Sequence, residues 1–545
     1  MAQPPMTRRI DRDPLRVAAI ASAVSLLSFL YYFQHGQILL YGDAIAHINI
    51  ARRVFDSQTP GLLQLGTVWL PLPHLLMIPL LLSDSMWQSG LGGSILSMIA
   101  YVLGVAGVFR LVRSLASDVP AGSAARVSAW AAAFVYAANP NLIYLQTTAM
   151  TESLYLALFV WATVYFAEST RALRNDSPRK DPPAGAPWFQ CGLCLAAAEL
   201  TRYDGWFLAM AIGAIIFVFA MQRWSDRAFR RSAIKFLVTI AVVPCLWLAY
   251  NAAVYGNLLE FANGPYSAKA IQQRSAAVNP AENHVAVAAS YFLKSAELNM
   301  APGNWGRLWL ATTVAALGFA LWKLRTHSAA FLLLGTPIAF YAYSIAHGGV
   351  PLYVPCWWPF TWYNLRYGLQ LLPLFSVAAG ILIAALLTTG KRLGPWLAAA
   401  AFALAAFGYA SVWRLQPLCL TEAWVNSRTR IALESVVGRT VAVLPANSRF
   451  LMYLGDHVGI FQQAGIPLRQ VVNEGNHRPW KRPSDPSGLW ERALADPPQY
   501  ADYVIAFDGD AVDRGADRSH LILLSEIHTT GQPHARIYAA KSGGR

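Results

Sequence analysis

Residues 16–47 read RVAAIASAVSLLSFLYYFQHGQILLYGDAIAH: a long apolar run behind a basic start, closed by Tyr41-Gly42-Asp43 and, one helical turn on, by His47. A run of this kind, near the roughly 20 residues that cross a ~30 Å hydrocarbon core, reads as a membrane span over 16–39. Arg8, Arg9, Arg12 and Arg16 precede it as they would precede the apolar part of a signal peptide. Tyr31, Tyr32, Phe33 and Gln34, however, stand where small residues would permit cleavage, so the segment is expected to stay as an anchor. The same template recurs at 90–113, 127–143, 150–168, 188–202, 205–222, 234–254, 305–322, 328–346, 365–388 and 394–413. That predicts an α-helical polytopic membrane protein of about eleven spans. A composition 55% hydrophobic and only 13% charged agrees with it.

Orientation follows from where Lys and Arg fall, because basic residues in short loops are held on the cytoplasmic side. Every second connection repeats the bias of the amino terminus. These connections carry Arg110, Arg113 and Arg126; Arg171, Arg174, Arg179 and Lys180; Arg223, Arg227, Arg230, Arg231 and Lys235; Lys323 and Arg325; and Lys391 and Arg392. The net charge of +14 is therefore mostly a topology signal, and no nucleic-acid partner is expected from it. The predicted organisation is a cytoplasmic amino terminus (1–15), a membrane domain (16–413) and an outer domain (414–545). The outer side also receives 40–89, 139–149, 201–205, 255–304 and 347–364.

The first outer loop, 40–89, has helical periodicity from Ala44 to Phe55, a breaker at Thr59-Pro60-Gly61, and an apolar stretch cut by Pro71, Pro73 and Pro79. It is expected to form an interfacial amphipathic helix and then a re-entrant or surface-lying segment. The charged, Pro-rich piece from Arg174 to Pro187 reads as a cytoplasmic linker. Beyond Glu422 the apolar runs become short: Arg449–Leu454, Val458–Ala464, Arg469–Val472, Tyr503–Phe507, Leu521–Glu526 and Ala535–Ala539. They predict a small soluble α/β domain. Cys191 and Cys194 lie in an apolar helix and suit packing, and no disulfide is expected between Cys356 and Cys419.

Ionisable residues at membrane depth are costly, and here they gather toward one side: Asp43 and His47, Glu152, Glu199 with Arg202 and Asp204, Lys269, Glu282, His284 and Arg366. Each also has a purely structural reading. Asp43 suits a helix cap, which local sequence favours. His47 on the same face allows a base, a metal pair or a hydrogen-bonded cap, but two residues do not make a metal site. Glu152 complements a helix dipole beside the capping candidates Thr148 and Thr151. Arg202 has Glu199 or Asp204 as partner, and Arg366 can snorkel from the start of its helix. The aromatic loop with Tyr353, Trp357, Trp358, Phe360, Trp362 and Tyr363 reads first as an interfacial belt, with sugar stacking second. In segment 261–300 most charges are expected to be solvated, with Lys269 in Gly264-Pro265-Tyr266-Ser267-Ala268-Lys269 as a phosphate contact. The structural readings leave unexplained why the same polarity recurs at separate span ends.

Taken in order, Tyr41-Gly42-Asp43 with Ala51-Arg52 and Pro60-Gly61, then Thr151-Glu152-Ser153-Leu154, Leu200-Thr201-Arg202-Tyr203-Asp204-Gly205, and Arg366-Tyr367 with Pro373 form a pattern. It resembles the GT-C superfamily of membrane glycosyltransferases, on the branch of bacterial protein mannosyltransferases and lipid A aminoarabinose transferases. The resemblance implies a sugar donor carried on polyprenyl phosphate, an outward-facing site at a bacterial inner membrane, and a lipid, glycan or protein acceptor. It makes Asp43 the catalytic base of an inverting transfer. His47, Glu152 and Asp204 then organise the acceptor side, and Arg202, Lys269, Arg366 and Tyr367 meet the donor phosphate. Many members carry a second acid directly after the first. Here Ala44 follows, which argues against a two-carboxylate metal site there and leaves a divalent cation an open question. Two other classes fit the same residues: a flippase or transporter of lipid-linked sugars, although no internal repeat is visible, and a non-catalytic envelope assembly subunit.

Overall fold

The computed structural model describes residues 12–116, 122–174, 186–274, 279–323, 328–389, 392–455, 457–476 and 487–540. Arg8, Arg9, Arg179, Lys180, Arg325 and Lys391, which carry part of the orientation argument, lie outside the described residues, as does most of the expected linker at 174–187. Each apolar stretch read from the sequence is helical. α1 (Asp13–Gln34) leads into a first loop that is itself built of α2 (Gly42–Arg53), α3 (Leu72–Leu81) and α4 (Asp84–Ser89). α5 (Leu91–Leu115), α6 (Gly122–Ala137), the short α7 (Pro140–Leu145), α8 (Glu152–Arg174), α9 (Ala186–Glu199), α10 (Tyr203–Gln222) and α11 (Arg227–Tyr255) follow. Then come α12 (Glu260–Asn263), α13 (Ala268–Arg274), α14 (Val285–Met300), α15 (Arg307–Lys323), α16 (Ser328–Leu333) and α17 (Thr336–Ala346). A 3-10 turn, Leu365–Leu371, runs into α18 (Leu372–Thr389), and α19 (Gly394–Leu415) completes the series.

Among the described residues, seven of these stretches are long and apolar enough to cross a membrane by length and composition. Leu27, Val314 and Phe407 point outward, each at least two-thirds exposed, which is the reverse of a water-soluble surface and the expected state against lipid tails. The chain is an integral membrane protein. With no hydrophobic drive between helices in lipid, close backbone approach must hold them. Gly107 supplies it between α5 and α8, where an added Cβ would meet Val160 at 2.8 Å, and Gly380 between α18 and α5, where it would meet Val112 at 2.8 Å.

One expectation about the first loop needs correction. α2 does not lie as an interfacial amphipathic helix, because Ala44, Ile45, His47, Ile48, Asn49, Ile50, Ala51 and Arg52 are all buried. Its other side is covered by the carboxy-terminal region: Asn49 donates to Gln462 at 2.8 Å, and Asp56 just beyond the helix meets Arg469 at 3.3 Å. Arg52 ties the loop together from within, reaching Asp56 at 2.7 Å, the Leu81 carbonyl at 2.6 Å and Asp84 at 2.5 Å. In segment 261–300 Lys269, Glu282 and His284 are exposed, as expected of most of its charges, while α14 is mostly buried. Its Lys294 is buried and donates to Glu297 and to the Gly303 carbonyl, both at 3.0 Å.

Gln416, at φ 69°, and Pro417 break the chain between α19 and α20 (Leu418–Ala442). Beyond α20 lie β1 (Phe450–Met452), α21 (Gly459–Ala464), β2 (Val471–Val472), β3 (Tyr503–Phe507), β4 (Leu521–Ile527) and β5 (Ala535–Ala540). The sheet order is β2-β1-β3-β5-β4, parallel over β2, β1 and β3 and antiparallel from β3 through β5 to β4. Every short run read beyond Glu422 thus falls on a strand or on α21. All five cysteines are free, Cys356 exposed and Cys419 buried.

Candidate active site

Three elements bring a carboxylate to one arginine. Arg366, in the 3-10 turn before α18, donates from Nη2 to Asp43 of α2 at 2.5 Å, from Nε to Glu152 of α8 at 3.1 Å, and from Nη1 to Glu422 of α20 at 3.2 Å. Glu422 also accepts the backbone N–H groups of Asn364 and Leu365 at 3.1 and 2.7 Å, which fixes the turn that presents Arg366. The guanidinium lies over the rings of Tyr41 and Tyr367, 5.1 and 5.0 Å from their centroids. The snorkelling reading of Arg366 is therefore overturned: the side chain is 6% exposed and points into protein.

A second arginine adjoins the first through shared groups. Arg202 donates from Nη1 to the same Glu152 Oε1 at 3.2 Å and to Thr151 Oγ1 at 3.2 Å, and from Nη2 to the Tyr341 hydroxyl at 3.0 Å. Its Nε lies 3.3 Å from Asp204 Oδ1, and the Tyr341 hydroxyl donates to Asp204 Oδ2 at 3.0 Å. Arg202 thus pairs with Asp204 and Glu152 and not with Glu199. Tyr367 stands between the two guanidinium groups, Arg202 lying 4.8 Å from its centroid. Thr148 does not cap α8, its hydroxyl turning back to the Leu145 carbonyl, whereas Thr151 stands directly before the helix, its carbonyl accepting the Tyr155 N–H at 3.0 Å and its hydroxyl accepting from Arg202.

Asp43 does not cap α2 either. It sits inside the helix with no side-chain cap bond at the terminus, its carboxylate taken by Arg366. Among the four acids of the cluster it alone is open, with its side chain 40% exposed against 1% for Glu152 and Glu422 and 2% for Asp204. His47 does not turn to Asp43. Its Nδ1 lies 2.9 Å from His74 Nε2 of α3, and its ring packs 4.8 Å from Trp69. Burial, with help from the nearby positive Arg366 and Arg202, pushes the His47 pKa down to about 3, so this imidazole is neutral at ordinary pH.

The structure therefore gathers Asp43, Glu152, Arg202, Asp204, Arg366 and Tyr367, and it sets His47 one layer behind. It does not bring in Lys269, Glu282 or His284, which are exposed. Lys269 lies on α13 with its stem against Gly348. Glu422, Tyr41, Tyr341 and His74 were not read from the sequence as site residues. The sequence signal for Glu422 is a lone acid in the apolar start of α20, Leu418-Cys419-Leu420-Thr421-Glu422-Ala423-Trp424. As for a cation, the cluster's acids are turned to guanidinium groups. Among the described residues, the group whose ligand atoms lie within reach of one ion is Glu526, His528 and His534, all exposed in the carboxy-terminal region.

No protein-family model matches the sequence, and no curated protein matches it. Solved structures do match. The crystal structure of ArnT from Cupriavidus metallidurans bound to undecaprenyl phosphate is 14% identical, with a TM-score of 0.55, over 97% of this chain and 98% of that one. The same enzyme in the apo state is 12% identical, with a TM-score of 0.53 and coverage of 96% and 97%. The apo oligosaccharyltransferase of Archaeoglobus fulgidus is 13% identical, with a TM-score of 0.50, over 91% of this chain and 70% of that one. At these identities the likeness is one of fold. Over nearly its whole length the chain shares the fold of ArnT, and over 91% of it the fold of the archaeal oligosaccharyltransferase.

Proposed function

We propose that the protein is a membrane glycosyltransferase that moves a monosaccharide from a polyprenyl-phosphate donor to an acceptor on the outer side of a bacterial inner membrane, with inversion, and that Asp43 is its base. The carrying observation is the exposure of Asp43 in a cluster whose other acids are buried. A base must reach substrate, and of these acids Asp43 can. The likeness to ArnT, crystallised with undecaprenyl phosphate, supports the donor class.

In the reaction, Asp43 accepts the proton of an acceptor hydroxyl or amine. The freed lone pair attacks the anomeric carbon, and the carbon–oxygen bond to the lipid phosphate breaks with its electron pair leaving on phosphate. One displacement inverts the centre. Arg366 and Arg202 meet the phosphate beside Tyr367, and Lys269 on exposed α13 adds positive charge at the approach. Glu152 and Asp204 hold the two arginines, and His47 with His74 supports α2 from behind. Arg366 already donates to Asp43, so a phosphate taking that donor releases the carboxylate as the acceptor needs it. Donor binding would then arm the base.

The test is transfer of radiolabelled sugar from a panel of polyprenyl-phosphate monosaccharides by the purified protein in lipid nanodiscs. Wild type should transfer and Asp43→Asn should lose about a hundredfold or more of the rate while staying folded. Equal rates in the two would remove Asp43 as base. Lipid movement across the bilayer without transfer would favour a flippase.

A further inference from the structure

The face of α2 that carries Asp43 continues into a cavity of about 450 Å3 between the first loop, the segment after α11 and the carboxy-terminal region. Ala46, Ile50 and Arg53 line it, at the third, seventh and tenth positions after Asp43, one continuous stripe of a helix. At 1.5 Å rise per residue the cavity begins about 5 Å along the axis from Asp43 and reaches Arg53 at about 15 Å. Its charged side groups are Arg53, Glu260 and Glu474, and its rings include Trp69, Tyr266 and Tyr453. Arg53 Nε is buried with no hydrogen-bond partner among the described residues, although a buried guanidinium donor ordinarily has one. Glu260 is 3% exposed and Glu474 6%.

We infer that this cavity, resting on the reading of the protein as a glycosyltransferase, is the acceptor subsite and that it takes an uncharged or amino-substituted sugar ring. The chemistry is that of carbohydrate recognition. Flat rings cover the C–H faces of a sugar, while carboxylates and a guanidinium exchange paired hydrogen bonds with neighbouring hydroxyls. The volume lies in the range of small-ligand sites. One guanidinium stands against two carboxylates in the lining, a net negative balance that disfavours a phosphorylated ligand and separates this site from the donor's. A sugar held by Arg53, Tyr266 and Tyr453 projects its next hydroxyl or linked ring along the stripe toward Asp43.

Binding can be read without transfer. Full-length protein in nanodiscs is mixed with methyl glycosides of neutral hexoses, N-acetylhexosamines and aminosugars and followed by saturation-transfer NMR. Signal is expected from at least one of these probes, reduced at least about fivefold in Tyr266→Ala and in Arg53→Gln, and untouched by added polyprenyl phosphate. Two variants on different elements guard against a local folding defect, and gel filtration checks each. Absence of signal from every probe in wild type, equal signal in both cavity variants, or displacement by polyprenyl phosphate would overturn the inference. Loss of transfer in Asp43→Asn bears only on the enzyme reading, because Asp43 lies outside the cavity lining.

Discussion

Arg366 spends its three donor positions on carboxylates from three different elements, a task that needs a planar fork and not merely a positive charge. Lysine keeps the charge but is a compact point donor that cannot span the same partners. Arg366→Lys should therefore stay folded and lose transfer on the order of a hundredfold, read as kcat in nanodiscs. Arg366→Ala should also lower the melting temperature, because it leaves buried Glu152 and Glu422 without their shared partner. Turnover unchanged in Arg366→Lys would leave the residue a structural clasp. The cluster was legible in the sequence where the bilayer helps: Asp43, Glu152, Arg202, Asp204 and Arg366 all sit at the ends of apolar spans on one predicted side, so depth and sidedness together locate them. Lys269 shares the sign but lies between spans, where no membrane fixes its height. Glu422 was missed because it follows the last span and reads as the start of a soluble region. Only the packing of α20 against the turn at Asn364 and Leu365 makes it a partner of Arg366.

α2 and α3 are joined by His47 and His74, buried and 2.9 Å apart, one ring donating and the other accepting. Burial pushes the His47 pKa down to about 3 and holds that of His74 well below its ordinary value. Both rings are thus neutral in the folded protein at pH values where the unfolded chain has already protonated them. Stability is complete above the unfolded value near 6.5 and falls as pH drops below it, by up to about 1.4 kcal/mol per pH unit for each histidine. Thermal unfolding in nanodiscs should show the melting temperature declining from pH 7 to pH 5, with a shallower decline in the His47→Gln, His74→Gln double variant. Parallel curves would mean that other groups set the acid sensitivity. The expectation for α2 itself failed for a related reason. Periodicity reports that one side of a helix is apolar, but Asn49, Arg52 and His47 are polar and still buried, because Gln462, Asp56, Asp84 and His74 arrive from elsewhere in the chain to satisfy them. In the carboxy-terminal region, where alternation of apolar residues is the whole signal, the strands fell where the sequence put them.

For the whole molecule, charge asymmetry predicts that the arginine cluster, the loop 347–364 and the outer domain face the same compartment, away from the basic loops. The cysteines provide a reporter for it. Cys356 is exposed in the loop 347–364, whereas Cys191 and Cys419 are buried and Cys194 is half-buried. Cys245 is exposed but lies inside the apolar helix α11, where a lipid surround opposes the thiolate that reacts. A membrane-impermeant maleimide added to right-side-out vesicles should therefore label one cysteine, and Cys356→Ser should abolish the signal. Labelling that appears only after the membrane is opened would place this loop inside. Asp43 would go with it, because Arg366 follows that loop directly in the chain and is bonded to Asp43, and an outer-face acceptor would then have no route to the base.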